Sequence, residues 1–326
     1  MRPRLISVVL PVYNEGENIA ECLRRLDRAL KGVEHEILVC YDFDEDTTLP
    51  AIRAMSDLSP AVKLTRNTIG RGAPNAIRTG FRAATGDVVV TTMADLSDPP
   101  EVIPQMAAAI RAGNAVVSGS RYMPGGSQTG GPLIKRTMSC VAGRLLHDLA
   151  GLGTRDATTN FRAYAAEYLA HTEIESKRGF EIALELTVKA QQMGLSVSEV
   201  PSSWTDRSAG QSNFKLWKWL PNYLHWFWVA MRQPLACTGL ALLLATAGLV
   251  QAPDSGQRSL IALLFLVTLS VLLVARRLRN RNTWLDLLHP LCWLAPVLMS
   301  GPSLLLLLAA VPSGALLLAT RPRQQS

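Results

Sequence analysis

Carboxylates recur in this chain where apolar runs stop. Glu15 follows LISVVLPVY, Asp42 follows EILVCY, and Asp95 and Asp98 follow DVVVTTM. Acids at such points can hold ribose hydroxyls and a divalent cation, and a cation held there can neutralise a diphosphate leaving group. Taken alone, Asp95 reads equally well as a capping acid before a helix starting near Pro99 and Pro100. Other chemistries find less support. GRGAPN (Gly70 to Asn75) lacks the third glycine of a dinucleotide fingerprint and follows the third strand instead of the first. No GxxxxGKS/T loop occurs, so a P-loop is excluded. Five histidines form no HxxxH or HxH pair, and Cys22, Cys40, Cys140, Cys237 and Cys292 form no CxxC pair. A zinc site and a disulfide scaffold are therefore disfavoured, and a reducing compartment suits the cysteines.

The elements that must position these acids alternate in type. LISVVLPVY is a continuous apolar, β-branched run of the kind found in buried parallel strands. EGENIAECLRRLDRALKG predicts a helix with Leu23, Leu26 and Leu30 on one face and Gly32 after its end. EILVCYD predicts a second strand, residues 47–57 a helix, VKLTRN a third strand, GAPNAIRTGFRAATG a helix closed by Gly86, and DVVVTTMAD a fourth strand. Such alternation predicts an α/β fold with a doubly wound, mostly parallel sheet, in which ligands bind at the carboxyl ends of strands.

Seven segments then follow in a telling order: VVLPVYNEGENI, an acid-rich turn after strand two, NTIGRGAPNAIRTGFRAATGD, MADLSDPP, GSRYMPGG, DATTNFRAY and EVPSSWTDRSAGQSNFKLWKW. Over about residues 5–220 this set resembles the family-2 glycosyltransferases of GT-A fold, in the branch of dolichol-phosphate mannose synthase and bacterial polyprenyl-phosphate glycosyltransferases. The resemblance implies inverting transfer of a hexosyl group from a nucleotide sugar (a UDP-sugar or GDP-mannose) to a polyprenyl phosphate, with Mg²⁺ or Mn²⁺. By motif, Pro11, Tyr13 and Glu15 would line the nucleotide pocket, and Asp42 would lie near the base. Asp95 would bind the metal with Ser97 beside it, and Arg207 would close over the donor diphosphate. Asp95, Arg207 and Arg121 would carry the catalysis. Arg121, Lys135, Arg136 and Ser139 would grip the lipid phosphate, and arginine and lysine suit that task through charge-assisted hydrogen bonds. The last three fall at i, i+1 and i+4 of one helix.

Two departures from the family pattern bear on this. Met93 stands where the family carries an acid two positions before Asp95, and the turn after strand two reads YDFDEDTT, with Phe43 replacing a glycine. Losing the first acid either weakens metal affinity or shifts coordination to Asp95, water and donor phosphates. Two rivals remain. Transfer to a lipid hydroxyl, of ceramide or diacylglycerol type, would need a base, for which Asp98 or Asp156 could serve. An inactive membrane scaffold rests on Met93 alone. The QxxRW signature of processive synthases is absent.

Composition divides the chain. Of 326 residues 48% are hydrophobic and 18% charged, which excludes a disordered chain. Mean hydropathy is +0.16, and the apolar excess is concentrated after residue 232. Seven arginines against two acids there account for +5 of the net +7, leaving +2 for residues 1–232. The basic balance thus sits beside apolar segments and gives no argument for nucleic-acid binding. Apolar runs near 235–250, 259–275, 285–299 and 302–319 predict about four membrane spans, with the arginine clusters at 276–281 and 321–323 on the cytoplasmic side. Trp217, Trp219, Trp226 and Trp228, mixed with Lys215 and Lys218, predict helices lying at headgroup level. The expected organisation is a cytosolic GT-A domain over 1–212, interfacial amphipathic helices over 213–231 and a transmembrane domain over 232–326. The N-terminal stretch has too short an apolar core for a signal peptide, so both termini are expected in the cytoplasm of an integral protein of a bacterial plasma membrane. A homo-oligomer stays open.

Overall fold

A computed structural model describes residues 2–177, 179–206 and 217–232. Arg207, Lys215 and the four expected spans lie outside the described residues. No helix among the described residues is long and apolar enough to cross a membrane. Two compact units divide the chain, 1–144 with 152–227 and 145–151 with 228–326; the sheet and every candidate site residue that the structure places belong to the first.

The strands are β1 (Ile6–Pro11), β2 (His35–Tyr41), β3 (Val62–Arg66), β4 (Val88–Thr91), β5 (Val116–Ser120), β6 (Ser127–Thr129), β7 (Arg162–Ala165), β8 (Val197–Pro201) and β9 (Ser203–Thr205). The helices are α1 (Ile19–Ala29), α2 (Thr48–Arg53), α3 (Ala73–Ala83), α4 (Ile103–Arg111), α5 (Leu133–Ala150), α6 (Ala166–Ala170) and α7 (Ile182–Gln192). A seven-stranded sheet runs β3-β2-β1-β4-β7-β5-β8, and a two-stranded sheet pairs β6 with β9. Within the large sheet only β7 is antiparallel to its neighbours, so the expected mostly parallel α/β sheet is present.

The apolar runs become strands because both faces are covered. β1 is buried along its whole length. Its Ile6, Val8 and Leu10 meet α1 and α4, whereas Val9 meets the α3 side. Helix α1 buries Ile19, Cys22, Leu23 and Leu26, the i, i+3, i+4, i+7 stripe of an amphipathic helix. Helix α3 closes on β1 at Gly80, where an added Cβ would fall 2.3 Å from a Val9 methyl.

The end of the sheet remote from the acids carries a buried ionic lock. Glu36 on β2 accepts hydrogen bonds from Ser7 Oγ at 2.6 Å, Lys63 Nζ at 2.8 Å, and the Thr85 N–H and hydroxyl at 2.8 Å each. Burial alone would push this carboxyl up, but the four donors outweigh it and hold it down at about 2. A depressed carboxyl stabilises the fold above its ordinary pKa and loses that contribution as pH falls from about 4.5 to 2. Glu36→Gln should therefore cost about 2–3 kcal/mol in urea unfolding at pH 7. The difference from the parent should close near pH 2, and a deficit independent of pH would remove the ionic account.

Candidate active site

The carboxyl ends of β1 and β2 are clasped to each other. Asn14, in left-handed backbone at φ 55°, donates its N–H to both oxygens of buried Asp46 at 3.1 Å. Asp46 also accepts the Thr48 N–H at 2.8 Å, and Glu15 N–H donates to Thr48 Oγ1 at 2.9 Å. The Glu15 carboxylate accepts from Asn18 Nδ2 at 2.9 Å. Pro11 ends β1 and is buried, whereas Tyr13 stays 53% exposed above it.

Asp42 bridges the turn after β2 to the loop before α3. Its carboxylate accepts from Asn67 Nδ2 and from the Gly72 N–H, each at 2.7 Å. Asn67 Nδ2 also reaches the Gly70 carbonyl at 2.6 Å. Sequence reasoning placed Asp42 near the base; in the structure both of its oxygens brace the 67–72 loop. Asn67 braces the same loop, a role that NTIGRG does not disclose because its partner Asp42 lies 25 residues earlier.

Asp95 lies beyond β4 in a strained turn. Leu96 takes a left-handed φ of 63°, which a branched side chain rarely adopts. The Ser97 N–H donates to Asp95 Oδ1 at 3.2 Å, and the Ser97 carbonyl accepts the Thr205 N–H at 3.1 Å. β9 is thereby tied to the acidic turn. Asp206, the last described residue before Arg207, donates its N–H to the Thr129 carbonyl at 3.1 Å. The Ser97 hydroxyl is buried with no hydrogen-bond partner among the described residues. An orphaned hydroxyl two residues from a buried carboxylate fits a divalent cation. Among the described residues no three His, Cys, Asp or Glu side chains gather to hold a metal. That suits a hard cation whose coordination is completed by water and phosphate oxygens. Burial, and then the Asp95 carboxylate, push the half-buried Asp98 carboxyl up to about 7 against the pull of Arg121.

Arg121 follows β5 and enters a buried ion pair. Its Nε and one Nη donate to Asp156 at 2.6 and 2.8 Å, and its backbone N–H donates to the same carboxylate at 3.1 Å. The Asp156 side chain is fully buried and that of Arg121 is 13% exposed. Burial works against the guanidinium charge, but Asp156 outweighs it, so the arginine pKa rises. The same nitrogen, Nη2, reaches Ser139 Oγ at 3.2 Å and Thr158 Oγ1 at 3.4 Å, and those two hydroxyls lie 2.5 Å apart. Tyr122 OH bonds Ser139 Oγ and Gln128 Oε1 at 3.0 Å each. Nη1 of Arg121 makes no hydrogen bond among the described residues. The structure thus joins Arg121 to Ser139 and adds Thr158 and Tyr122, which the sequence reading did not include. Lys135, one turn before Ser139, is half-buried, and Arg136 is exposed. Asp156, weighed earlier as a base, is committed to Arg121 and Thr159 and cannot serve as one.

The described part of the tryptophan-rich segment divides its side chains between the protein and the surface. It is helical over 217–232, but Trp226 is buried with Lys189 Nζ 5.1 Å from its ring centroid, and Trp219 stands edge-on to Phe180 at 5.4 Å. Trp217 and Trp228 remain exposed. Of the four tryptophans, Trp226 is buried in the protein and Trp219, half-buried, leans on Phe180.

A model of the family described as glycosyl transferase family 2 matches residues 7–172. The chain is 35% identical to the dolichol-phosphate mannosyltransferase of Pyrococcus furiosus over 217 residues, 64% of this chain and 59% of that protein's length. It is 32% identical to the polyprenol monophosphomannose synthase of Mycolicibacterium smegmatis, over 63% of this chain and 79% of the relative. Among solved structures, glucosyl-3-phosphoglycerate synthase from Mycobacterium tuberculosis in complex with Mn²⁺, UDP-glucose and phosphoglyceric acid shares the fold. Its TM-score is 0.53 at 18% identity, covering 70% of this chain and 80% of that one.

Breaking a buried pair from one side strands a charge and typically costs about 3–5 kcal/mol. Asp156→Asn and Arg121→Ala should each lose stability on that scale in urea unfolding. The double change Arg121→Ala with Asp156→Asn should lose less than the sum of the singles, because neither charge is then left alone. Strictly additive losses would show that the two side chains do not depend on each other.

Proposed function

The chain belongs to glycosyl transferase family 2, and from that premise we propose that it transfers a hexosyl group from a nucleotide sugar to a polyprenyl phosphate. The names of the relatives favour mannose as the hexose and a dolichyl- or undecaprenyl-type lipid as the acceptor. The observation that carries the acceptor is the Arg121 site. A guanidinium fixed by Asp156 keeps Nη1 available beside the Ser139 and Thr158 hydroxyls, and together these donors suit a phosphate oxyanion.

An anionic acceptor needs no strong base. Arg121 and the hydroxyls would hold the phosphate so that one oxygen faces the anomeric carbon opposite the diphosphate. That oxygen forms the new bond as the anomeric carbon–diphosphate bond breaks, and the configuration inverts. Pro11, Tyr13 and Glu15 would seat the nucleotide, and Arg207 would close over the departing diphosphate. Asp95, with Ser97 alongside, would hold a divalent cation, Mg²⁺ or Mn²⁺, whose chemistry is to neutralise charge on the leaving diphosphate. The solved neighbour of the same fold holds Mn²⁺ with its UDP-glucose.

We place this reaction at the cytosolic face of a membrane. Exposed Leu133 and Ile134, at 75% and 67%, precede Lys135 and Arg136, and Trp217 is 76% exposed. Apolar side chains beside lysine and arginine suit a headgroup layer, and the apolar runs after residue 232 would anchor the chain there. A second reading, transfer to a lipid hydroxyl, draws on Asp98: a carboxyl near 7 could act as the base such an acceptor requires.

Transfer assays with polyprenyl phosphate and with the matching polyprenol separate the two readings, product from the phosphate alone being expected. Asp95→Asn should abolish transfer and remove the metal dependence of nucleotide binding, because Met93 leaves no second acid in the motif. Metal-dependent nucleotide affinity surviving in that variant would place the cation elsewhere. Lys135→Ala with Arg136→Ala should lower transfer about 100-fold or more, from the loss of two charge-assisted bonds of ~1.5–3 kcal/mol each. Donor affinity should hold; its loss in this variant would assign the two cations to the donor.

A further inference from the structure

We propose that Tyr223, on the helix over residues 217–232, is a further binding residue for the acceptor phosphate, its phenolic O–H donating to the oxyanion held at Arg121. This rests on the reading of the chain as a polyprenyl-phosphate transferase and adds a residue that lies beyond the last of its motifs, which ends at Trp219.

Residues 217–227 of that helix belong to the same compact unit as the sheet. Trp219, Asn222 and Trp226 recur at the spacing of one helix face, and each meets α7 or the turn that leads into it. Trp219 stands edge-on to Phe180, Asn222 Nδ2 donates to Glu181 Oε1 at 3.3 Å, and Lys189 Nζ lies 5.1 Å from the Trp226 ring centroid. Tyr223 falls on the same face, one turn after Trp219 and one turn before Trp226. The start of α7 is also where Arg162 is received, its Nη1 donating to the Ala183 carbonyl at 2.8 Å. Arg162 donates in turn to the Asp156 carbonyl at 2.7 Å, and the Asp156 carboxylate holds Arg121. The Tyr223 phenol responds to both guanidiniums. Burial, and then the Glu181 carboxylate, push its pKa up against the pull of Arg162 and Arg121, so the hydroxyl stays protonated and able to donate.

Packing alone does not explain a tyrosine here. The side chain is half-buried, and its hydroxyl makes no hydrogen bond among the described residues. Phenylalanine would fill the same place without the cost of shielding an unpaired hydroxyl from water. The surroundings of that hydroxyl suit an anion. Nη1 of Arg121 makes no hydrogen bond among the described residues, and Nε of Arg162 is buried with no partner among them. A phosphate group carries three strong acceptor oxygens, so the donors of Arg121, Ser139 and Thr158 leave acceptors for a hydroxyl arriving from another element. A polyprenol would gain only a neutral bond from the same phenol, whereas the phosphate gains a charge-assisted one. Tyr223 thereby favours the phosphorylated lipid over the alcohol.

The test uses the full-length protein in detergent micelles. Affinities are measured for undecaprenyl phosphate and for undecaprenol, which lacks the phosphate. Tyr223→Phe keeps the ring and removes only the hydroxyl. It should weaken undecaprenyl phosphate about 10-fold, or ~1.4 kcal/mol, the loss of one charge-assisted bond. Undecaprenol affinity and the thermal unfolding temperature should stay those of the parent, because the hydroxyl bonds to no protein group. In transfer assays the KM for undecaprenyl phosphate should rise by the same factor while the KM for the nucleotide sugar holds. Unchanged affinity for undecaprenyl phosphate overturns the role of Tyr223, as does an equal loss for undecaprenol or a loss that comes with a fall in unfolding temperature. A parent protein that binds the phosphate no better than the alcohol overturns the acceptor reading itself, and this inference with it.

Discussion

Arginine can be held in a nearly dry site only if something holds its charge there, and the Arg121–Asp156 pair imposes that condition on this site. A guanidinium 13% exposed against a fully buried carboxylate carries a desolvation cost that only close, doubled hydrogen bonding can offset. The pairing engages Nε and Nη2, and Nη1 makes no hydrogen bond among the described residues. It also locates Ser139, Thr158 and Tyr122, whose hydroxyls close around the same side chain. Beneath it Arg162, on the antiparallel strand β7, is buried and donates to the Asp156 carbonyl at 2.7 Å and the Ala183 carbonyl at 2.8 Å. Arg121 is thus held through Asp156 by side-chain and main-chain bonds from several segments, which suits the positioning role proposed for it.

At the turns after β1 and β4 the work is done by backbone geometry. Asn14 and Leu96 adopt left-handed conformations beside Glu15 and Asp95, and each distorted turn is held by carboxylate or main-chain bonds from another part of the fold. Asp46 clasps the first turn, and β9 secures the Ser97 carbonyl of the second. Strain of this sort persists only where surrounding structure over-determines it. Its coincidence with both acidic turns is independent support for a ligand site there.

Several particular residues mark how far the chain could be read unaided. The strands and helices were legible, because an apolar run or a 3.6-residue stripe reports burial that each segment experiences wherever it is placed. The acids at strand ends were legible for the same reason. Asp42 was located, but its partners Asn67 and Gly72 were not, since they are 25 and 30 residues away. Asp156 looked like a free carboxylate and is a counter-ion. Trp226 and Trp219 matched the composition of an interfacial helix, yet Lys189 and Phe180 receive them.

The sequence by itself determined the alternating α/β order, the placing of Glu15, Asp42 and Asp95 at strand ends, and the separation of an apolar C-terminal stretch from a nearly neutral remainder. These are properties of local pattern and composition, fixed by neighbours a few residues apart. Only the tertiary structure decided which charges pair and which donors remain open. Arg121 and Asp156 are 35 residues apart, and Phe43 and Arg71 are brought together from the ends of different strands. A side chain's partner depends on where distant segments fold, and in a low-dielectric site that partner decides whether a charge is structural or available to a ligand.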